Sequence, residues 1–343
     1  MWKRTMATAA VFCVVVGLLM AGCGTEERDG LQNTSGDGPT IVLPDYGELR
    51  LSEAGTCKNL TVFLLVSGGA SPRTSSDYLT LEEGLRRKVA TVSEKESADV
   101  STLQVVNRSE KPIFIQAGDI VKGGQQDRTI QVSLVIPPKS GPIDIPSLCV
   151  EPHRWTGGEK FDAAETKAAS KEMKIAIQKG DQGKVWESVA EFKEKARDVT
   201  GGESQTSSVN EELEHARLTA LVKEYLDTLG SLPDTHPEAV GAAFVVNGEL
   251  SAIELYGDPA LFRMSFPRLL EASAREAAVS GGAAFSPIEA GAIVEFLNAM
   301  EKGDTNEERI EENRVLRLEN EKGFWAGVTD SDKKVIHREY LTK

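Results

Sequence analysis

The spacing of hydrophobic positions changes character twice along this chain. Between residues 41 and 157, short runs rich in Val, Ile and Leu alternate with Gly, Pro, Asn and Ser turns, which predicts strands. The clearest runs are Leu60–Val66, Leu103–Val106, Ile113–Ile115 and Thr129–Ile136. In the last of these Ile130, Val132, Leu134 and Ile136 alternate with Gln131, Ser133 and Val135, the pattern of a half-buried strand. A short helix over Thr80–Lys88 interrupts the strands. Residues 159–230 turn to Lys, Glu and Ala, a helical composition. Val185, Val189, Phe192 and Ala196 share one helical face, so Lys184–Val199 is an amphipathic helix. Ser208-Val-Asn-Glu211 reads as a capping-box start and Gly230 as a stop.

From Val240 the strand pattern returns. Val240–Val246 and Leu250–Tyr256 flank Asn247-Gly248, a strong hairpin signal. Asp258-Pro259 suits a helix start, and Pro267 predicts the first turn of a second helix that turns Leu269, Leu270, Ala274 and Ala277 inward. Ser286-Pro-Ile-Glu289 predicts a further helix, ended by Gly303. Three strands follow: Asn313–Leu318, Phe324–Val328 and Val335–Leu341. The expected fold is α+β: an antiparallel β-rich N-terminal half, a helical middle segment, and a mixed hairpin and helix part with a terminal β-meander. Residues 41–343 read as one large domain, β-rich over 41–157, helical over 159–230 and mixed over 240–343.

The first 22 residues have a different pattern. Lys3 and Arg4 precede an apolar run from Met6 to Met20, followed by Ala21-Gly22-Cys23. This is the layout of an exported signal segment rather than of a fold element. Leu19-Met20-Ala21-Gly22-Cys23 resembles the lipobox of a bacterial lipoprotein, which implies lipidation of Cys23 and a palmitate-type membrane anchor. Each buried methylene of such an anchor contributes about 0.8 kcal/mol. Residues 23–40 are polar, Gly-rich and aperiodic, the composition of a flexible tether. The expected location is therefore extracytoplasmic, in the periplasm or at the cell surface, on the outer membrane if the organism has one.

Charge narrows the range of partners. Of 343 residues, 39 are Lys or Arg and 53 are Asp or Glu, a net −14. Removing residues 1–22 takes away two basic residues and no acidic one, so the charge becomes −16. A body this acidic is unsuited to neutralising nucleic-acid phosphates, and it would be held at a membrane by its acyl anchor alone. Cys57 and Cys149 are the remaining cysteines. In an oxidising compartment they are the available disulfide pair, closing a loop of about ninety residues.

The chemistry-bearing residues cluster between Lys122 and Trp155. Lys122-Gly-Gly-Gln-Gln-Asp-Arg128 sets two glycines beside charged and amide side chains, and Cys149-Val-Glu-Pro-His-Arg-Trp155 packs a thiol, carboxylate, imidazole, guanidinium and indole together. A Gly-Gly turn exposes backbone N–H groups to an anion, while Lys122 and Arg128 supply charge and paired donors. Asp127 or Glu151 would be the general base if the site is catalytic, with His153 as acid or ligand. The alternative is that these residues form structural ion pairs. The four histidines show no zinc spacing and no metal is implied, while the residues leave the identity of any cofactor open. The GxSxG, GxxxxGK[ST] and GxGxxG signatures are absent.

These residues resemble a known family, the domain named for its association with ADP-ribosylglycohydrolase and rhodanese-phosphatase proteins. The likeness is strongest at Ala117-Gly118-Asp119, Lys122-Gly-Gly124, Gln126-Asp127-Arg128, Cys149-Val-Glu151 and Arg154-Trp155, and it extends over about residues 45–280. The resemblance implies that Lys122, Gln126, Asp127, Arg128, Glu151, Arg154 and Trp155 form one ligand site. It also implies a setting in ADP-ribose or NAD processing, with no established reaction. Three functions remain open at this point: a lipid-anchored protein binding a ligand or protein partner, a hydrolase of a phosphate-bearing, ADP-ribose-like molecule, and a structural envelope protein.

Overall fold

Two strands that are apolar on both faces, β4 (Leu60–Ser67) and β14 (Ala239–Val246), lie side by side inside a ten-stranded sheet. Continuous apolar runs of this kind fit only where both faces of a sheet are covered. The computed structural model describes residues 38–68, 77–95, 101–150, 160–167, 170–202, 213–281 and 287–343. Residues 37–343 make one compact unit.

On one side of β4 the sheet continues through β2 (Gly47–Leu51) to β1 (Thr40–Leu43), and β3 (Gly55–Cys57) also pairs with β4. On the other side, β14 makes a hairpin with β15 (Glu249–Tyr256) through Asn247-Gly248, both at positive φ. Beyond β15 come β19 (Val335–Thr342), β18 (Gly323–Thr329), β17 (Asn313–Glu319) and β16 (Asn306–Ile310). The terminal meander is thus as expected, with one further strand. β16, Asn-Glu-Glu-Arg-Ile, is exposed from Asn306 to Arg309 and carries no apolar alternation to betray it.

Six strands between Ala90 and Lys167 form a closed barrel. Its strands are β6 (Ala90–Glu94), β7 (Thr102–Asn107), β9 (Asp119–Gly123), β10 (Arg128–Ile130), β12 (Ser140–Cys149) and β13 (Lys160–Lys167), in the order β10-β12-β7-β6-β13-β9. A three-stranded sheet, β11 (Leu134–Ile136), β8 (Ile113–Ile115) and β5 (Leu79–Thr80), lies alongside. The helix α1 (Leu81–Arg86) begins at Thr80, whose hydroxyl accepts from the Glu83 N–H.

Helices cover one face of the large sheet. These are α2 (Lys171–Lys179), α3 (Gln182–Thr200), α4 (Ala216–Leu229), the short α5 (Leu232–Thr235) and α6 (Pro259–Val279). Val185, Val189, Phe192 and Ala196 of α3 are all buried against Val222, Phe244 and Phe262 in the largest core cluster. The opposite face of the sheet is covered by α7 (Ala290–Met300), whose Ile293, Leu297 and Met300 are fully buried.

Four expectations need correction. Residues 129–136 form two strands in different sheets, because Gln131 N–H donates to Pro146 O and the Ser133 hydroxyl accepts from Ala117 N–H, which bends the chain between them. The stretch read as helical from 159 opens instead with β13, held by pairing to β6 and β9 that overrides local propensity. Pro267 lies inside the single helix α6 rather than at the start of another. A helix-interior proline costs about 3 kcal/mol, and burial of Phe262, Phe266, Leu269 and Leu270, at about 1.5–3 kcal/mol each, outweighs it. The next helix starts at Ala290, with Pro287 to Glu289 outside it, because Ile288 packs against the second core cluster. The capping-box start at 208–211 lies outside the described residues.

The barrel closes around a contact that requires glycine. Phe161 of β13 pairs with Gly123 and its ring lies against Gly124, where an added Cβ would stand 2.2 Å from the ring at a backbone φ of +59°. We predict that Gly124→Ala lowers stability by more than about 2 kcal/mol, through overpacking and left-handed strain together. A denaturant midpoint unchanged from wild type would contradict this.

Candidate functional site

The turn joining β9 to β10 holds the residues singled out by sequence. Gly123 and Gly124 both take positive φ, and the turn's N–H groups point toward carboxylates supplied by the protein itself. Asp127 Oδ1 accepts from Gly123 N–H at 2.8 Å, and Glu94 Oε1 accepts from Gln125 N–H at 3.0 Å. The anion position that a Gly-Gly turn offers is thus filled from within. Lys122 reaches outward to Glu214, with Nζ 2.6 Å from one carboxylate oxygen and 2.8 Å from the other.

Arg128 is the unusual member of the group. Its side chain is 1 % exposed, and Nη1 donates to Gln126 Oε1 at 3.1 Å and to the Cys149 sulfur. Nη2 lies 3.5 Å from Glu94 Oε1, a long ion pair, and the buried Nε has no hydrogen-bond partner. A buried donor left unmade costs about 1–3 kcal/mol, and Nε is itself out of contact with solvent. Register explains the packing, since Arg128 is directly opposite Cys149 on β12 and Val121 on β9. Burial pushes the Cys149 thiol upward, and Arg128 only partly opposes it. The sulfur is therefore a buried thiol rather than a poised nucleophile.

The chain beyond Cys149 starts from a fixed point. The Gln182 side-chain amide both donates to Cys149 O (2.7 Å) and accepts from Cys149 N–H (2.9 Å), and Val150 N–H donates to Asp127 O at 3.2 Å. The predicted site residues Glu151, Arg154 and Trp155, with His153, lie outside the described residues. The structure thus brings together Gln126, Asp127 and Arg128, and turns Lys122 away toward Glu214.

The disulfide that the two cysteines could form is absent: Cys57 and Cys149 are both free and buried. Cys57, on β3, sits 3.8 Å from Glu224 O of α4, while Cys149 faces Arg128 inside the barrel wall. Each thiol is packed in its own surroundings. Among the described residues no cluster of three or more His, Cys, Asp or Glu is arranged to hold a metal ion, and no helix is long and apolar enough to cross a membrane.

Sequence reasoning missed the most strongly charged buried region. Lys174 of α2 lies between Glu254 of β15 at 3.1 Å and Glu339 of β19 at 2.9 Å, and both carboxylates are buried to within 2 %. His337 Nε2 is 2.7 Å from Glu254 Oε2, and Gln116 Nε2 donates to the same oxygen at 3.1 Å. Tyr256 OH donates to Gln116 Oε1 at 2.9 Å, and Gln178 Nε2 donates to Glu339 Oε2 at 2.8 Å. Burial alone would draw Lys174 downward, but Glu339 and Glu254 override it and push its pKa up. Burial, reinforced by Glu254, pushes the Glu339 carboxyl up to about 7 despite Lys174. One signal was present in the sequence. Glu254 and the run His337 to Glu339 are charged or titratable residues inside strands, each directly preceded and followed by hydrophobic residues, and His337 and Glu339 are two apart on one face.

With the fold and these sites described, comparison with known proteins places the chain. The family model of the ARG and Rhodanese-Phosphatase-superfamily-associated Protein domain (ARPP-1) matches residues 48–341, and the chain belongs to that family. Neither the curated proteins nor the solved structures give a match.

The buried ions generate two predictions. Lys174→Ala leaves two carboxylates buried without their cation and should cost about 3–5 kcal/mol in equilibrium unfolding, whereas Lys174→Met with Glu339→Gln should recover part of that loss. Glu339 ionises at a higher pH folded than unfolded. Its contribution to stability is therefore complete below its ordinary value near 4.5 and is lost as pH rises through about 7. Unfolding free energy should fall from pH 5 to 8 in the wild type, and more shallowly in Glu339→Gln. Parallel curves for the two proteins would contradict the assignment.

Proposed function

We propose that this protein is an extracytoplasmic, lipid-anchored binding protein that takes a small phosphate-bearing molecule where the Lys122–Arg128 turn meets the segment after Val150. The observation that carries this reading is Arg128, a buried guanidinium whose Nε makes no hydrogen bond, with the Glu94 carboxylate 3.5 Å from Nη2. Charge-assisted bonds from a guanidinium to phosphate oxygens are among the strongest that proteins make. Two of the turn's N–H groups, those of Gly123 and Gln125, are satisfied by Asp127 and Glu94, so in this reading the turn is the rigid base. Glu151, Arg154 and Trp155, which follow directly from the pinned Cys149–Val150 step, supply the remaining ligand contacts. Trp155 offers a stacking face for a planar ring, and Arg154 a second charge.

Anchoring supports a binding role held at a surface. The basic start, the apolar run and Ala21-Gly22-Cys23 provide the anchor, and the polar composition of the stretch that follows, ahead of β1 at Thr40, suits a tether.

Two measurements test the proposal. In the expressing bacterium, Cys23→Ala should move the protein from the membrane to the soluble fraction; continued retention would remove the anchor from the account. In a thermal-shift screen of the detergent-solubilised protein, ADP-ribose, AMP and inorganic phosphate are the probes. A ligand at 100 times its Kd adds about 2.7 kcal/mol of stability. The shift should vanish in Arg154→Ala while the ligand-free midpoint stays at the wild-type value. Absence of any shift at millimolar concentrations would overturn the ligand assignment.

A further inference from the structure

A second cleft, well away from the signature residues in sequence, is built by α2, α3, the C-terminal end of α6 and the β14–β15 hairpin. Its volume is about 310 Å³. The floor is apolar, with Phe192, Val246, Leu250 and Val279 all at least nine-tenths buried. The rim is charged, with four carboxylates, Glu172, Glu191, Glu249 and Glu276, against two lysines, Lys171 and Lys195.

Glu276 is the deepest of the acids and is short of donors. Both of its carboxyl oxygens lie within hydrogen-bond distance of one hydroxyl, Ser251 Oγ, at 3.1 and 3.0 Å. A single hydroxyl has one proton to give, and an ionised carboxylate has about four acceptor sites. The Ser251 position is itself set by the fold. Opposite partners shift from Phe244–Ala252 to Val245–Leu250, so Ser251 is the extra residue of a β-bulge. Bulges re-aim a side chain and are found beside functional sites. Lys171 is already engaged with the Thr342 hydroxyl at 3.2 Å, which leaves the acids in excess.

We infer that this cleft is a binding site for a small primary-amine cation, with Glu276 as its counter-ion and the apolar floor receiving the carbon stem. An ammonium brings three donors and a positive charge to a carboxylate that has one donor, and it suits a rim where acids outnumber bases. The site is independent of the proposed phosphate-bearing ligand, which calls for the opposite charge.

The electrostatics agree with this geometry. Burial pushes the Glu276 carboxyl up to about 7, against the Ser251 hydrogen bond; Glu172 adds to the rise, and Lys174 and Lys171 oppose it. Glu191 and Lys195 face the cleft from α3, and Glu249 faces it from the hairpin. A bound ammonium would favour the ionised form, so amine binding should strengthen as pH rises past neutrality.

Titration calorimetry on the detergent-solubilised full chain tests the inference, using phenethylammonium chloride, its neutral counterpart 2-phenylethanol and the acid phenylacetate. The ammonium should bind, with affinity rising about tenfold from pH 6 to pH 8 as a group near 7 ionises. Binding should be lost in Glu276→Gln. Lys195→Glu, on the exposed rim, should increase affinity and serves as the second variant if Glu276→Gln fails to fold. Equal binding of the alcohol, preference for the acid, absence of ammonium heat at tens of millimolar, or unchanged affinity in Lys195→Glu would each overturn it.

Discussion

The position of Lys174 between two strand carboxylates is the interaction on which the arrangement of the other layers depends. Removing three charges from water costs several kcal/mol for each ion, and that cost is met only if every partner stays in place. Glu254 and Glu339 fix neighbouring strands of the large sheet, Lys174 and Gln178 fix α2 on that sheet, and Gln116 ties in the segment between β8 and β9. Three substructures therefore meet at one set of charges. A purely apolar interface would tolerate sliding by a residue. This one does not, because a shift of one strand position would turn Glu254 or Glu339 to the opposite face and strand the lysine.

The signature turn uses charge differently. There the acids Asp127 and Glu94 act on backbone N–H groups, and their effect is to hold Gly123 to Arg128 in a shape that keeps β9 and β10 in register. The two glycines have distinct reasons to be glycine. Gly123 takes a φ of 126°, and Gly124 leaves room for the Phe161 ring that closes the barrel. Arg128 then lies beneath the point where the chain leaves β12, so the shape of the turn and the start of the following segment are one mechanical unit.

Much of this architecture was legible in the sequence because it is written in periodicity. The α3 face, the Asn247-Gly248 hairpin and the three C-terminal strands need only local pattern to be recognised. What escaped was written in long-range partners. β12 contains Pro142 and Pro146 and reads as a loop until β7 and β10 pair with it, and β13 reads as helix until the barrel needs a sixth strand. Pro267 was misread for a related reason, since only the buried aromatics around it make an interior proline tolerable. For the candidate site, the turn residues were readable by composition. The partners that satisfy them, Glu94 and Glu214, are 31 and 92 residues from the groups they bind and carry no local signal. The Lys174 array was hidden in the same way, its lysine being 80 residues from Glu254.

The two ends of the large sheet differ in a way that bears on how copies of this protein meet. At one end β16 carries four exposed polar residues, Asn306 to Arg309, with Glu307 and Glu308 already engaged by Arg314 and Arg317 of the next strand. A strand so charged resists pairing with another chain. At the other end β1 carries Val42, a large apolar side chain 70 % exposed. The two ends of the sheet are thus guarded unequally: charge lines the β16 side, while the β1 side turns an apolar residue to the surface.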